Sequence, residues 1–170
     1  MSVQMGFIYD ESRCVRFRTC EAACKGTCHT ETGVRWRWLA DTWQGEFPNV
    51  SRTFLSSSCM HCAEPACMRV CPTGAIIKRI EDGIVLVDRE KCNGCKECLS
   101  ACPYGVPQFG QDGKMQKCDY CTGLGTEPVC AVHCPVGALS FGDINRQPET
   151  NRKVSERYSG LTGPSLIIMK

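Results

Sequence analysis

The cysteines of residues 92–103 form the stretch of this chain with the most specific chemical meaning. Their spacing is C-x2-C-x2-C-x3-C-P, running from Cys92 through Cys95 and Cys98 to Cys102. This spacing is typical of a loop that holds a [4Fe–4S] cluster with its first three thiolates, while the fourth cysteine ligates a second cluster. One such motif therefore requires a partner motif. A structural zinc site would instead show two separated C-x2-C pairs.

The chain contains sixteen cysteines among 170 residues, and they form four groups of four. The groups are Cys14, Cys20, Cys24, Cys28; Cys59, Cys62, Cys67, Cys71; Cys92, Cys95, Cys98, Cys102; and Cys118, Cys121, Cys130, Cys134. In three of the four groups the last cysteine is followed by proline. A disulfide framework has no reason to repeat C-x2-C and C-P in this way, so the pattern indicates metal binding.

Charge and hydropathy exclude several classes of function. The net charge is +2 and charged residues make up 22% of the chain, so a nucleic-acid surface is not indicated. No apolar run is long enough to span a membrane, and the start shows neither a signal peptide nor a twin-arginine pair. The sequence by itself predicts a cytoplasmic protein, and export with a signal-bearing partner is compatible with it. Four lysines lie beside cysteine ligands in the sequence: Lys91, Lys96, Lys114 and Lys117. They either raise the reduction potentials of the clusters or are ordinary solvated side chains.

Short strands must position these motifs. Residues 3–9 read as a strand that leads into the first motif, and residues 33–40 alternate apolar and cationic side chains, as in a half-exposed strand that pairs with residues 50–57. Residues 76–80 and 84–87 flank an Asp-Gly turn and predict a hairpin that leads into the third motif.

The first motif departs from the pattern. Its register requires cysteine at position 17, but Phe17 stands there, and a benzyl side chain cannot ligate iron. We expect this ring to fill the space of the missing thiolate. Cys20, Cys24 and the surplus Cys28 are spaced four residues apart, which places them on one face of a helix if that helix continues.

Over about residues 5–143 the chain resembles a known family, the four-cluster iron–sulfur subunits of dimethyl sulfoxide reductase-type molybdopterin oxidoreductases. The dimethyl sulfoxide, polysulfide, nitrate and formate enzymes contain such subunits. The likeness is carried by Cys62-Ala63-Glu64-Pro65-Ala66-Cys67, Val70-Cys71-Pro72-Thr73-Gly74-Ala75, Ala101-Cys102-Pro103-Tyr104-Gly105 and Lys117-Cys118-Asp119-Tyr120-Cys121.

The resemblance implies that motifs pair and exchange their fourth ligands. One cluster would take Cys59, Cys62, Cys67 and Cys102, and another Cys92, Cys95, Cys98 and Cys71. A third would take Cys118, Cys121, Cys130 and Cys24, which leaves Cys14, Cys20 and Cys134 for the fourth. There the substitution at position 17 leaves three outcomes: [3Fe–4S], which we favour, a [4Fe–4S] cluster that recruits Cys28 or a non-cysteine ligand, or no cluster.

The resemblance further implies an α+β fold with two tandem ferredoxin-like modules within residues 1–142. One module contains the motifs at 14–28 and 118–134, and the other contains those at 59–71 and 92–102. Residues 143–170 are polar and aperiodic until the apolar segment at 166–169, so we expect an extended tail that docks on a partner.

The function implied is a non-catalytic electron relay between a molybdopterin (Mo or W) catalytic subunit and either a quinone-linked membrane subunit or a soluble carrier. Its cofactors would be three [4Fe–4S] clusters and the atypical fourth. Two alternatives remain: a free, diffusible polyferredoxin, and a structural or assembly module that would accept zinc. The tryptophan-bearing segment at 33–50 and the tail argue against the free carrier, which needs neither.

Overall fold

The computed structural model describes residues 3–147 and 162–169. The fold is α+β, as predicted. The helices are α1 (Thr19–Thr27), α2 (Ala66–Arg69), α3 (Glu97–Ala101) and α4 (Val129–Val132). The strands are β1 (Met5–Asp10), β2 (Arg37–Gln44), β3 (Ser51–Ser58), β4 (Ile76–Lys78), β5 (Val85–Val87), β6 (Gln108–Phe109), β7 (Met115–Gln116), β8 (Leu139–Asp143) and β9 (Leu166–Met169). Within the described ranges, no helix has the length and apolar character needed to cross a bilayer.

The largest sheet has the order β8-β1-β9 and joins both ends of the chain. β1 pairs antiparallel with β8, with Phe7 opposite Phe141, and parallel with β9, with Phe7 opposite Leu166. The strand predicted at 3–9 is therefore present and central. Its buried side chains place Phe7 and Tyr9 at the centre of the larger hydrophobic core.

The apolar segment near the end of the chain corrects a prediction. We expected this part of the tail to dock on a partner, but Leu166, Ile167 and Ile168 are buried on β1 in the protein's own sheet. An unbroken run of large apolar residues suits a strand that is covered on both faces, and the sequence does not say which strand it will pair with. The intervening part of the predicted tail, 148–161, lies outside the described residues.

The predicted long hairpin is present but shifted. β2 and β3 pair over their whole length, with Arg37 opposite Ser58 and Gln44 opposite Ser51. The burial of individual side chains also differs from the expected alternation of apolar and cationic residues. Arg35 is exposed, yet Arg37 is buried on the same face as Leu39, while Trp36 and Trp38 are only half-buried.

The remaining sheets are two-stranded. β4 and β5 form the predicted hairpin, in which the backbone N–H of Ile84 donates to Asp82 Oδ1 at 3.1 Å. Gly83 adopts the left-handed conformation (φ 73°) that this turn requires, and a Cβ there would meet the Gln4 amide. β6 and β7 form a shorter pair behind the third motif. A small second core, made of Ile76, Val85, Cys98 and Met115, lies under these hairpins.

Candidate metal centres

The first four-cysteine cavity lies between the segment after α2, the start of α3 and the loop before α3. Cys92, Cys95 and Cys98 come from the third motif, and Cys71 comes from the second. All four line the same pocket. Gly94 adopts φ 74°, and a Cβ there would lie 2.6 Å from the Gly113 carbonyl oxygen, so only glycine lets the loop curl this closely.

The charges of these thiols reach one another across the cavity. Burial raises the pKa of Cys98 to about 11, with contributions from the negative charges of Cys95, Cys92 and Cys71. The backbone N–H of Met115 points at Cys92 Sγ from 3.4 Å. A bound cationic metal centre would relieve the repulsion at Cys98, since metal coordination deprotonates a thiol outright.

The second cavity repeats this arrangement with the motifs exchanged. Cys59, Cys62 and Cys67 come from the second motif and Cys102 from the third, and all four line the same pocket. Burial raises the pKa of Cys67 to about 12, with contributions from Cys59, Cys102 and Cys62. We call these two cavities together the 59–102 pair.

The lysines beside the motifs divide into two kinds. Lys91 and Lys96 are exposed, whereas Lys117 is buried at 4% exposure and lines the second cavity. Lys117 Nζ donates to the carbonyl oxygens of Val85 and Cys118, and its charge acts to lower the pKa of Cys67. It is therefore a fixed cation next to this cavity and not a solvated side chain.

A third group of thiols forms where α1 packs against α4. Cys24 lies on α1 and Cys130 on α4, and both are buried, as are Cys118 and Cys121. Burial raises the pKa of Cys130, the positive charge of Arg37 opposes this rise, and Cys24 and Cys121 add to it. The structure thus brings together the four cysteines that the resemblance assigned to one cluster.

The surplus cysteine joins this third group. α1 continues to Thr27, and the backbone N–H of Cys28 donates to the Cys24 carbonyl oxygen at 2.9 Å. The helix is therefore continuous up to Cys28, although Gly26 lies within it. A hydrogen bond from the Cys28 thiol lowers the pKa of Cys121 to about 7, and it also lowers that of Cys24. The structure places Cys28 beside Cys24 and Cys121, not with the three cysteines of the fourth site.

The fourth group is built around the open end of the β1–β8 pair. The Asp10 N–H donates to the Ala138 carbonyl oxygen at 2.8 Å. Cys14 lies four residues after Asp10 in the sequence, and Cys134 lies four residues before Ala138. Cys20 joins from the first turn of α1. Burial raises the pKa of Tyr9, and both Cys14 and Cys20 add to that rise, so the two thiols share its surroundings. We call the third and fourth groups together the 14–134 pair.

Phe17 corrects a further expectation. Its side chain is 65% exposed, so it does not fill the space where a thiolate would stand. The loop that carries Phe17 contains two residues with positive φ, Arg16 (66°) and Arg18 (58°). The fourth group therefore has an open position and not a plugged one.

The donor sets fit iron–sulfur clusters. Within residues 3–147 and 162–169, no three Cys, His, Asp or Glu side chains converge on a point that would hold one metal ion. Cluster ligands bind different irons, so they surround a volume, as the cysteines of the 59–102 pair do. When bound, such clusters supply one-electron redox chemistry, and the protein's own residues position the ligands, limit access of water and fix the surrounding charge.

The sequence analysis did not predict the buried position of His61. His61 is fully buried, accepts a hydrogen bond from the Val85 N–H at Nδ1 (3.0 Å) and stacks on Tyr120 with ring centroids 3.6 Å apart. Burial holds the pKa of His61 well below its usual range, and Lys117 lowers it further. Adjacency to a cysteine was the only signal in the sequence, and it did not distinguish a buried ring from a surface one.

The chain is similar to known iron–sulfur proteins. The family described as 4Fe-4S dicluster domain matches residues 50–144. The B subunit of anaerobic dimethyl sulfoxide reductase from Escherichia coli is 44% identical over 157 residues, covering 85% of this sequence and 76% of the relative. The protein of the same name from Haemophilus influenzae is 43% identical over 188 residues, covering 97% and 88%. Protein NrfC of Escherichia coli is 38% identical over 160 residues, covering 91% and 70%.

Proposed function

This protein belongs to the 4Fe-4S dicluster family of iron–sulfur electron-transfer subunits, together with the B subunit of anaerobic dimethyl sulfoxide reductase, and from this premise we propose how its parts are used. It relays single electrons through four clusters between a molybdopterin catalytic subunit and a quinone-linked membrane subunit or soluble carrier. The protein itself performs no bond chemistry. The observation that carries this proposal is the exchange of Cys71 and Cys102 between two four-cysteine cavities.

The ligand sets of the proposal follow the groups described above. Three [4Fe–4S] clusters are held by Cys59, Cys62, Cys67, Cys102; by Cys92, Cys95, Cys98, Cys71; and by Cys24, Cys118, Cys121, Cys130. The fourth is a [3Fe–4S] cluster held by Cys14, Cys20 and Cys134, since three thiolates suit three irons. Cys28 is a thiol neighbour of the third cluster. The division into two ferredoxin-like modules corresponds to the 59–102 pair and the 14–134 pair.

A fixed partner subunit is supported by the exposed end of the β2–β3 hairpin. Trp43 and Val50 are 63% and 45% exposed, and Phe47 between them is 92% exposed. Large apolar side chains grouped at a hairpin tip are unfavourable in water and typical of an interaction site. A freely diffusing carrier has no need for this projection.

The test is anaerobic purification of the tagged protein from its native host, followed by metal and sulfide analysis. We expect about fifteen irons per polypeptide with a [3Fe–4S] fourth cluster, or about sixteen with a [4Fe–4S] one, about sixteen sulfides in either case, and co-purification of a larger subunit that contains molybdenum or tungsten. An iron-loaded protein that elutes alone would indicate the diffusible polyferredoxin. A colourless protein that contains zinc would contradict the relay and support a structural module.

A further inference from the structure

Arg37 is a buried cation without a carboxylate partner. It begins β2, and its side chain is 2% exposed. Among residues 3–147 and 162–169, no Asp or Glu forms an ion pair with it. A buried charge is strongly unfavourable unless an opposite charge compensates it, so this position calls for an anion nearby.

The contacts of the guanidinium are polar but neutral. Nη1 donates to Ser56 Oγ at 2.8 Å, Nη2 donates to Ser58 Oγ at 3.0 Å, and the group lies 4.1 Å from the centre of the Phe7 ring. Its Nε is buried and has no hydrogen-bond partner among the described residues. Two hydroxyls and one ring fix the direction of the charge but do not neutralise it.

The groups that surround Arg37 are the cysteines of two different sites. Cys24 and Arg37 line the same pocket, and Cys20 Sγ contacts Ser56 Oγ, which also accepts the hydrogen bond from Arg37. Burial acts to lower the pKa of Arg37, and Cys130, Cys118, Cys20 and Cys24 act to raise it. Cys24, Cys118 and Cys130 belong to the third group, whereas Cys20 belongs to the fourth. The guanidinium therefore stands between the two halves of the 14–134 pair.

We propose that Arg37 is the shared counter-cation of the two clusters in the 14–134 pair, and that it raises the reduction potential of both. This inference rests on the proposed function, because it requires those clusters to be present. A reduced cluster carries one more negative charge than the oxidised one, and a fixed buried cation favours the more negative state. Low exposure keeps solvent from screening the effect.

Arg37 reaches the fourth site through Ser56. A guanidinium has only donors, so the contact with Ser56 Oγ commits that oxygen to accepting and leaves its proton for another partner. Cys20 Sγ lies 3.4 Å from the same oxygen. When Cys20 ligates iron its sulfur has no proton and can only accept, so Ser56 then donates to it, and hydrogen bonds to ligand sulfurs raise cluster potentials.

The decisive experiment replaces the charge in the purified complex and follows each cluster by redox titration with paramagnetic resonance. In Arg37→Gln we expect the oxidised-to-reduced ratio at a given potential to increase at least about tenfold for both clusters of the 14–134 pair, equivalent to about 59 mV for a one-electron couple. The clusters of the 59–102 pair stay unchanged. Signals are assigned with Cys130→Ser and Cys98→Ser.

Two further variants separate charge from shape. Arg35→Gln is the matched control, since Arg35 is exposed two residues away, and we expect no shift. Arg37→Lys keeps the charge, so we expect potentials close to wild type. Unchanged potentials in a fully loaded Arg37→Gln, or equal shifts in Arg37→Gln and Arg37→Lys, would overturn the proposal. If Arg37→Gln does not load these clusters, Arg37→Lys decides: retention supports the counter-cation, and loss overturns it in favour of a structural guanidinium.

Ser56→Ala tests the branch to Cys20. We expect it to lower the potential of the fourth cluster alone, because Arg37 remains in place beside Cys118 and Cys130. A shift at the third cluster, or none at the fourth, contradicts the relay through Ser56. Iron content measured on the same samples distinguishes this failure from failure of the proposed function, since missing clusters in the wild type would count against the latter.

Discussion

The 59–102 pair and the 14–134 pair use the same exchange of cysteines, but they are built into the protein differently. The 59–102 pair has two four-cysteine cavities with complete ligand sets. The cavity lined by Cys71 and Cys98 lies under short two-stranded hairpins with a small core, whereas Cys59, Cys62 and Cys102 of the other cavity pack with the larger core. The 14–134 pair lies beside the three-stranded sheet and the larger core that contains Phe7 and Tyr9. One group there has a fifth thiol, Cys28, and the other has only three.

The sites differ in how much apolar packing surrounds them. Around Cys71, Cys92 and Cys98 the core is small, so bound clusters must supply much of the folding free energy there. Most cysteines of the 14–134 pair pack against the larger core and its sheet. We therefore expect the two halves to respond unequally to the same perturbation.

The largest contrast should appear when all clusters are removed anaerobically by chelation and oxidation. Isolated two-stranded hairpins are marginal in water, so amides of β4, β5, β6 and β7 should lose protection against hydrogen exchange by on the order of 100-fold or more. Amides of β1 and β8 should retain most of theirs. Mass-spectrometric exchange measures both, and equal loss in the two regions would remove the proposed inequality.

The next largest effect should come from Cys102→Ser, which tests the exchange itself. Cys102 is the fourth cysteine of the third motif but lines the cavity of the second. We expect about four irons to be lost at first from that cavity, followed by loosening of its neighbour. Brief alkylation under anaerobic conditions should then label Cys59, Cys62 and Cys67 before Cys92, Cys95 and Cys98.

The control for this experiment is Cys134→Ser, which should leave the 59–102 pair protected from alkylation. If Cys102→Ser instead exposes its own sequence neighbours, Cys95 and Cys98, then each motif holds its own cluster. The exchange would be wrong in that case, and with it the assignment of Cys71.

The sequence was sufficient for features determined by local chemistry. The C-x2-C spacings define which cysteines act together, and the Asp82-Gly83 turn defines the β4–β5 hairpin, because only particular residues adopt that backbone. The strand at β1 and the pairing of β2 with β3 were also predicted. The α+β class followed from the family resemblance.

Features determined by long-range packing were not predictable. The parallel pairing of β9 with β1 joins residues that are about 160 positions apart, and a short apolar run does not identify its partner. Arg37 alternates with tryptophans in a way that normally indicates a solvent face, yet the thiols gathered around its guanidinium make that face a buried one. The location of Cys28 depended on the packing of α1 against the fourth motif.

A smaller effect is expected from Phe17→Cys, which restores the complete first motif. Phe17 is 65% exposed, so its replacement should change the stability of the fold by no more than about 0.5 kcal/mol. Oxidised wild-type protein should show a [3Fe–4S] signal near g of about 2. In Phe17→Cys this signal should disappear as about one iron is gained, which would make the 14–134 pair as regular as the 59–102 pair.

Cys28→Ala is the companion variant for this prediction. Because Cys28 lies beside Cys24 and Cys121, its loss should leave the signal of the fourth cluster intact. Loss of iron from the fourth site in Cys28→Ala, with no signal near g of about 2 in the wild type, would support the rescued [4Fe–4S] cluster and contradict our assignment.

The smallest effect is expected at Gln4, whose side chain ties the two regions together. Its amide nitrogen lies 2.8 Å from Ser165 Oγ, 3.2 Å from the His61 carbonyl oxygen and 3.3 Å from that of Gly83. Lys78 Nζ donates to its amide oxygen at 3.0 Å. Truncation removes these partly buried hydrogen bonds, although Ser165, His61 and Lys78 keep other partners, at a cost of about 1–2 kcal/mol.

For a protein of this size, that cost corresponds to a decrease in the melting temperature of roughly 2–8 °C in Gln4→Ala. Gln44→Ala is the matched control, because Gln44 is exposed at the end of β2 and should melt like wild type. Calorimetry of the loaded protein should also show a broader transition in Gln4→Ala, since the weaker 59–102 region is then less coupled to the sheet. A sharp transition at the wild-type temperature would mean that the two regions are joined through the clusters and their exchanged ligands and not through Gln4.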